Sequence, residues 1–341
     1  DGDEESLVKA ILKDLDMSHD YIADRKFTSV YFGGGTPSLI SPKIIEQITN
    51  KLKKLNLVED DCEVSFELNP KEVDKNYLGD LIDIGINRVS IGIQSFDQDI
   101  LNILERNHGS QDAINALEVV SGFKSIDTTI DLIYGNMEQT LESFVTDINK
   151  FCSFNIDHLS LYQLTIEPNT IFYKKELIMP EDTLIESMEI AAKEILNKNN
   201  LYQYEVSSWA KKGRQSKHNM NYWMYGDYLG LGPGAHSKIT MKNSITRMIK
   251  LKKVGSYINN PSKTLNTSIT SETYDLDLAM NLLRIKDGIS FKDLTSKNIY
   301  LPESFLRKLK KGVNESLLEE GGIKATNMGY KFLNDTVNIF N

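Results

Sequence analysis

"VYFGGGTPSLIS", Val30 to Ser41, runs from a short apolar strand into three consecutive glycines and then, past a proline, into a helical segment. A strand that hands bare backbone to a helix start reads as the turn of a β/α unit, and the chain beyond it repeats the pattern. Strand-like runs begin at Thr28 ("TSVYFGG"), Cys62 ("CEVSFELN"), Arg88 ("RVSIGIQS"), Thr128 ("TTIDLIY") and His158 ("HLSLYQLT"), and each interval has room for one crossover helix. The first two of these are "SPKIIEQITNKLKKL", with Ser41 as N-cap and Pro42 at the first helical position, and "PKEVDKNYLGDLIDIG", closing on Gly85.

Read at period two, the strands separate into unlike faces, whereas strands of a parallel sheet tend to be apolar on both. Cys62, Val64, Phe66 and Leu68 share one face against Glu63, Ser65 and Glu67; Val89, Ile91 and Ile93 oppose Ser90, Gly92 and Gln94. Ile130, Leu132 and Tyr134 oppose Thr129 and Asp131, and Leu159 and Leu161 oppose His158, Ser160 and Tyr162. With the apolar faces against helices, small and polar side chains line the concave side, with Glu67, Gln94 and Asp131 near the carboxyl ends of their strands. This predicts an α/β fold, a partial parallel (β/α) barrel open around a polar ligand, since a barrel that fills itself needs bulky aliphatics inside. The glycines stand at the rim where such sheets bind ligands. They form neither a P-loop, which needs a lysine and a hydroxyl at the helix start, nor a dinucleotide fingerprint, because Ser38 stands where the third glycine belongs. A tight turn needing positive φ is the plain alternative.

The 341 residues, 40% of them apolar, suffice for one large or two modest cores. No run reaches the ~18 apolar residues of a membrane span, and "DGDEESLVKA" lacks the features of a secretory signal, so the expected compartment is the cytoplasm, with peripheral membrane contact left open. A net charge of −9 argues against nucleic acid as a partner; the basic run "RMIKLKK", Arg247 to Lys253, reads as a solvated helix face. Two cysteines, Cys62 and Cys152, are too few for a disulfide framework and fit a reducing compartment.

The succession "GGGTPS", "FELNP", "NRVSIGIQSFD", "LERNH", "IDLIYG", "HLSLYQLTIEPNT", "QYEVSSW" and "HNMNYWMYGDYLGLGPGAHS" resembles the HemN/HemW branch of the radical S-adenosylmethionine (SAM) superfamily over nearly the whole chain. The HNxxYW element followed by "DYLGLGPGAHS" resembles the HemW heme chaperones rather than the oxygen-independent coproporphyrinogen III oxidases. The resemblance implies that Gly33, Gly34, Gly35 and Thr36 meet the amino end of SAM, that Glu67 meets its ribose, and that Gln94, Arg106 and Asp131 complete the pocket. The residue chemistry agrees, since a carboxylate suits hydroxyls and a guanidinium suits a carboxylate. The plain alternatives are a surface salt bridge from Arg106 to Glu105 or Asp99, and buried structural ion pairs for Glu67 and Asp131.

The resemblance also implies a four-iron four-sulfur (4Fe-4S) cluster on a CxxxCxxC loop, which this sequence does not contain. Cys62 and Cys152 read as small core residues. A helix, "EESLVKAILKDLDMSHDYI", stands where the family's first strand and loop should already have passed, which leaves "TSVYFGG" as an uncovered edge and suggests an incomplete chain. "IYGNMEQT" departs from the leucine and proline usual in the family after that glycine.

In "HNMNYW", His218 offers an imidazole to heme iron, while Tyr222 and Trp223 offer flat apolar faces to a porphyrin. The resemblance implicates His218, Asn219, Tyr222 and Trp223 in heme binding; a hydrogen-bonded loop histidine is the plain alternative. His236 is a second candidate ligand, and His158 reads as a structural contact. The expected division is a barrel with the HNxxYW region over residues 1–235 and a small, mainly helical, winged-helix-like domain over 236–341. That second domain is expected to end in a hairpin at "IKATNMGYKFLNDTVNIF". The implied function is heme handling on a SAM-binding scaffold, in porphyrin metabolism, with a hemoprotein client. The alternatives are a coproporphyrinogen III dehydrogenase and a cluster-free binding protein.

Overall fold

The computed structural model describes residues 2–22, 25–166, 173, 177–242 and 244–341. The end of the "HLSLYQLTIEPNT" motif lies outside the described residues. The chain packs as two compact units. One comprises Ser29–Lys43 and Asp61–Ser216; the other comprises Asp1–Thr28, Ile44–Asp60 and Lys217–Asn341. The expected boundary at residue 235 lies inside the second of these.

The first unit carries a seven-stranded sheet. Its strands are β1 (Phe27–Phe32), β2 (Val58–Leu68), β3 (Arg88–Gln94), β4 (Asp127–Tyr134), β5 (His158–Gln163), β6 (Tyr202–Gln203) and β7 (Ser208–Ala210). Their order is β1-β2-β3-β4-β5-β7-β6, so the five strands expected from the sequence lie side by side, with β1 at one end. The pairs β2–β3, β3–β4 and β4–β5 are parallel. The sequence reading missed the pair β7 and β6, which extends the sheet beyond β5 with antiparallel pairings. Both strands are too short to carry a hydrophobic period.

The two-faced character of the strands is real. Phe66, Val89, Ile91, Ile93, Ile130 and Leu159 have no exposed surface, and they share the apolar faces. The helices Lys75–Asp83, Ser110–Ser121, Leu141–Ser153 and Asp182–Lys198 bury matching stripes, among them Leu78 and Leu81, Ala113 and Leu117, Phe144 and Phe151, and Met188 and Leu196. Local chemistry sets their ends. The Asp74 carboxylate accepts from the Asn76 and Tyr77 amides, so this helix starts later than "PKEVD" suggested, with a 3₁₀ turn at Pro70–Glu72 before it. Gly85 follows its end at φ +100°, as the C-terminal glycine reading requires. At the amino ends of β2 and β3, Arg88 Nε donates to Glu63 Oε2 at 2.9 Å, with both residues buried, and Ser216 Oγ donates to Glu63 Oε1 at 2.9 Å. The buried ion pair considered for Glu67 and Asp131 is made by Glu63 instead.

The second unit departs more from expectation. Where only helices were read, an antiparallel sheet stands, ordered β10-β9-β8, from β8 (His236–Met241), β9 (Ser244–Lys250) and β10 (Thr264–Ile269). "RMIKLKK" therefore enters as strand, and its cations are engaged: Arg247 pairs with Asp277 at 2.7 Å, and buried Lys250 pairs with Asp14 at 2.6 Å. Beyond it stand the helices Ser271–Leu282, Phe291–Ser296 and Glu303–Asn314, with the short antiparallel pair β11 (Ile289–Ser290) and β12 (Gly322–Ile323). The expected terminal hairpin is instead β12 followed by two short helices, Asn327–Lys331 and Leu333–Asn338, with Thr326 capping the first. The chain end enters the core through Phe340, whose ring lies 4.6 Å from that of Phe305. Among the described residues no helix is long and apolar enough to cross a membrane.

Asp14, fully buried on the helix Gly2–Met17, accepts from Lys250 Nζ at 2.6 Å and from Tyr257 Oη at 2.8 Å. Removing the carboxylate strands a buried ammonium, so Asp14→Ala should lower the unfolding free energy by ~3 kcal/mol in chemical denaturation, and Asp14→Leu with Lys250→Met should recover most of it.

Candidate functional site

Beyond the carboxyl ends of β1 to β4 the first unit holds a cavity of about 550 Å³. Gly35, Thr36, Glu67, Gln94, Arg106 and Asp131 line it, together with Ser90 and Gly92 of the polar strand face. Gly33 and Gly34 do not line the cavity; they shape its wall. Glu67 is fixed through both of its oxygens: the Tyr31 hydroxyl donates to Oε1 at 2.8 Å and the Gly34 amide donates to Oε2 at 2.9 Å. A Cβ on Gly33 would stand 2.5 Å from Tyr31 Cε1 and 2.9 Å from Glu67 Oε1, so this glycine is the space in which the two side chains meet. Gly34 and Gly35 adopt φ +81° and +61°, which turns the backbone and brings the Gly34 amide onto the carboxylate.

Gln94 sits at φ +68°, with the Ser95 amide donating back to the Ile93 carbonyl at 2.9 Å. This tight three-residue turn coincides with the shift of register between β3 and β4. A left-handed glutamine costs on the order of 1 kcal/mol or more, and here it carries the amide of Gln94 over Gly92, whose missing Cβ leaves the room. Arg106 faces the same cavity, and among the described residues no carboxylate lies within ion-pairing distance of it, so the salt bridge to Glu105 or Asp99 does not form. Burial lowers its pKa.

Asp131 lies across from these groups and accepts from Ser90 Oγ at 2.9 Å. Burial pushes its pKa up to about 6, opposed by hydrogen bonds from Ser90 and Ser160 and assisted by the charge of Glu67. The cavity thus combines two acceptor-rich carboxylates, an amide and a guanidinium. That set suits a ligand carrying hydroxyls, a cationic centre and a carboxylate.

The "HNMNYW" stretch is a short helix, Lys217–Trp223, rather than a loop. Its spacing puts His218 and Tyr222 on one face, with ring centroids 4.9 Å apart and edge-on at 77°. The two flat faces expected for a porphyrin are partly occupied already: Tyr222 packs 4.4 Å from Tyr228, and the Arg284 guanidinium lies 4.2 Å over Trp223. The Trp223 Nε1–H is buried with no acceptor among the described residues. Asn219 is half-buried on the same helix, and His236 is exposed at the start of β8. His158 is structural as read: buried, bonded through Nε2 to the Tyr204 hydroxyl at 2.8 Å, with burial lowering its pKa to about 3.

Cys62 is buried on the apolar face of β2 and Cys152 is half-buried on the helix Leu141–Ser153. Among the described residues no three of His, Cys, Asp or Glu are grouped to hold a metal ion. The sequence reading missed Tyr31, and with it Asn69, Glu105 and Asn107 of the cavity wall. Tyr31 was accessible to the period-two reading: it alternates with Phe32, which packs on Phe66 at 5.9 Å, and so falls on the face of Glu67.

Residues 10–151 match the radical SAM superfamily. Over 343 residues the chain is 35% identical to the heme chaperone HemW of Buchnera aphidicola from Acyrthosiphon pisum, covering 99% of this chain and 90% of that protein. The heme chaperone HemW of Escherichia coli is 31% identical over 336 residues, 98% of this chain and 89% of that one. Among solved structures, coproporphyrinogen III oxidase (HemN) of Escherichia coli superposes with a TM-score of 0.79 at 19% identity, covering 99% of this chain and 83% of that chain, which shows a shared fold.

The folded state keeps the Asp131 proton to higher pH than an unfolded aspartate with its ordinary value of 3.8, so stability contributed by this group falls as pH rises from about 4 to about 6 and is level above. Asp131→Asn does not titrate. Its unfolding free energy relative to the parent should therefore climb across that window by on the order of 1–3 kcal/mol. A difference that stays flat with pH would mean that Asp131 titrates normally.

Proposed function

The chain belongs to the HemW heme-chaperone family of the radical SAM superfamily, and on that premise we propose that it binds SAM in the cavity of its sheet unit and carries heme on the His218–Trp223 helix for a hemoprotein client in the cytoplasm. The observation that carries this reading is similarity along 99% of the chain to a protein named as a heme chaperone.

The cavity supports the SAM part residue by residue. Arg106, which has no ion pair among the described residues, suits the carboxylate of the methionine moiety. Glu67, held from behind by Tyr31 and Gly34, presents acceptors to the ribose hydroxyls. Of the turn Gly33–Gly34–Gly35–Thr36, Gly35 and Thr36 line the cavity, where the bare backbone of Gly35 lets an ammonium approach a carbonyl, and Gly33 and Gly34 shape the wall behind them. Gln94 and Asp131 close the far wall, where Asp131 adds acceptor capacity for the cationic end of the ligand.

Superfamily membership also implies a 4Fe-4S cluster held by three thiolates. The thiols in this sequence do not fit one, because Cys62 and Cys152 belong to an apolar strand face and to a helix. The residues present support binding SAM and heme, and the radical step is assigned to none of them.

For heme, His218 would offer an imidazole to the iron and Tyr222 a neighbouring aromatic edge, with Asn219 and Trp223 on the same segment. The Arg284 guanidinium over one face of Trp223 leaves a cation beside the segment that suits a porphyrin propionate.

Two measurements test the pair of assignments. Glu67→Ala should weaken SAM binding in titration calorimetry by ~1–3 kcal/mol, the cost of a lost charged hydrogen bond, and unchanged affinity in the folded variant removes Glu67 from the site. His218→Ala should shift the heme absorption band and speed heme loss while His236→Ala leaves the band in place. The reverse result makes His236 the ligand.

A further inference from the structure

We propose that Tyr31 is a positioning residue that acts through Glu67 to make the cavity select ribonucleosides, by holding the carboxylate so that its free lone pairs meet the two ribose hydroxyls. The proposal rests on the SAM reading of the cavity and adds a residue that does not itself line it.

The geometry is specific. Each Glu67 oxygen has one donor behind it, the Tyr31 hydroxyl at 2.8 Å on Oε1 and the Gly34 amide at 2.9 Å on Oε2. Two donors on two oxygens fix the rotation of the carboxylate plane as well as its position, which one donor cannot do. Glu67 faces the cavity and Tyr31 stands outside its wall. A carboxylate in this pose offers its remaining lone pairs as a matched pair of acceptors, and a vicinal diol is a matched pair of donors.

The sequence around Tyr31 is built for the contact. Gly33 keeps open the space that a Cβ would take from both Tyr31 and Glu67. Phe32, on the other face of β1, packs on Phe66 of β2, so the two strands touch through side chains on both faces. A phenol is also the donor that suits this place. It directs the carboxylate without bringing a positive charge that would compete with a cationic ligand, and burial beside Glu67 and Asp131 raises its pKa, so it stays a donor across the physiological range.

Titration calorimetry on the full chain with three probes, SAM, 5′-deoxyadenosine and 2′,5′-dideoxyadenosine, tests this. Tyr31→Phe keeps the ring and removes only the donor. It should weaken SAM and 5′-deoxyadenosine by about five- to thirtyfold, while leaving 2′,5′-dideoxyadenosine, which has no vicinal diol, within about twofold of the parent. In a Glu67→Gln background, Tyr31→Phe should cause no further loss, because the group it positions is gone. Equal losses for ribo and deoxyribo probes, losses that multiply in the double variant, or an unchanged Tyr31→Phe each overturn the proposal and leave the SAM reading standing. Absence of SAM binding to the parent chain overturns that reading, and the proposal with it.

Discussion

The site depends on one constraint: a carboxylate on β2 must be held from behind by neutral donors on β1 and on the turn that follows it. Tyr31 and Gly34 supply those donors, and the arrangement is possible only because residue 33 has no side chain. Each of the three glycines then has a separate physical reason. Gly33 yields space, Gly34 yields an amide at positive φ, and Gly35 turns the backbone into the cavity wall. What first reads as bare backbone held open for a ligand is in part bare backbone held open for the protein's own tyrosine and glutamate.

The rest of the sheet unit keeps that constraint in place and adds to it. The fully buried apolar faces of β2 to β5 pin the strands, so the polar faces arrive in fixed register. The turn at Gln94, with φ +68°, and Arg106, which forms no ion pair among the described residues, are local costs at the cavity mouth. The opposite pole shows the contrast. There Glu63 and Arg88 neutralise each other in full burial, which makes a stable and chemically closed end. Two glutamates four residues apart on one strand thus serve different ends, according to what stands opposite them.

Much of this was legible in the sequence. The five strands, their order of faces and the placement of Glu67, Gln94 and Asp131 around one cavity follow from alternation, because a two-faced parallel strand has few interpretations. Alternation along β1 also places Tyr31 on the face of Glu67; what no period shows is the hydrogen bond between them, because its partners lie 36 residues apart in the sequence. The second unit was less legible. "RMIKLKK" looks like a solvated face when its acidic partners, Asp14 and Asp277, are far away along the chain. The short β11–β12 pair and the terminal helices fall below the length at which a hydrophobic period is readable. The helix at His218–Trp223 is likewise under two turns, and its neighbours Tyr228 and Arg284 come from later segments.

The most direct test of the account is a crystal structure of the chain grown with SAM. The account predicts ligand density in the cavity with ribose oxygens at hydrogen-bond distance from the Glu67 carboxylate and the methionine carboxylate on Arg106. Density for SAM elsewhere, or a ligand in the cavity that touches neither Glu67 nor Arg106, would contradict it.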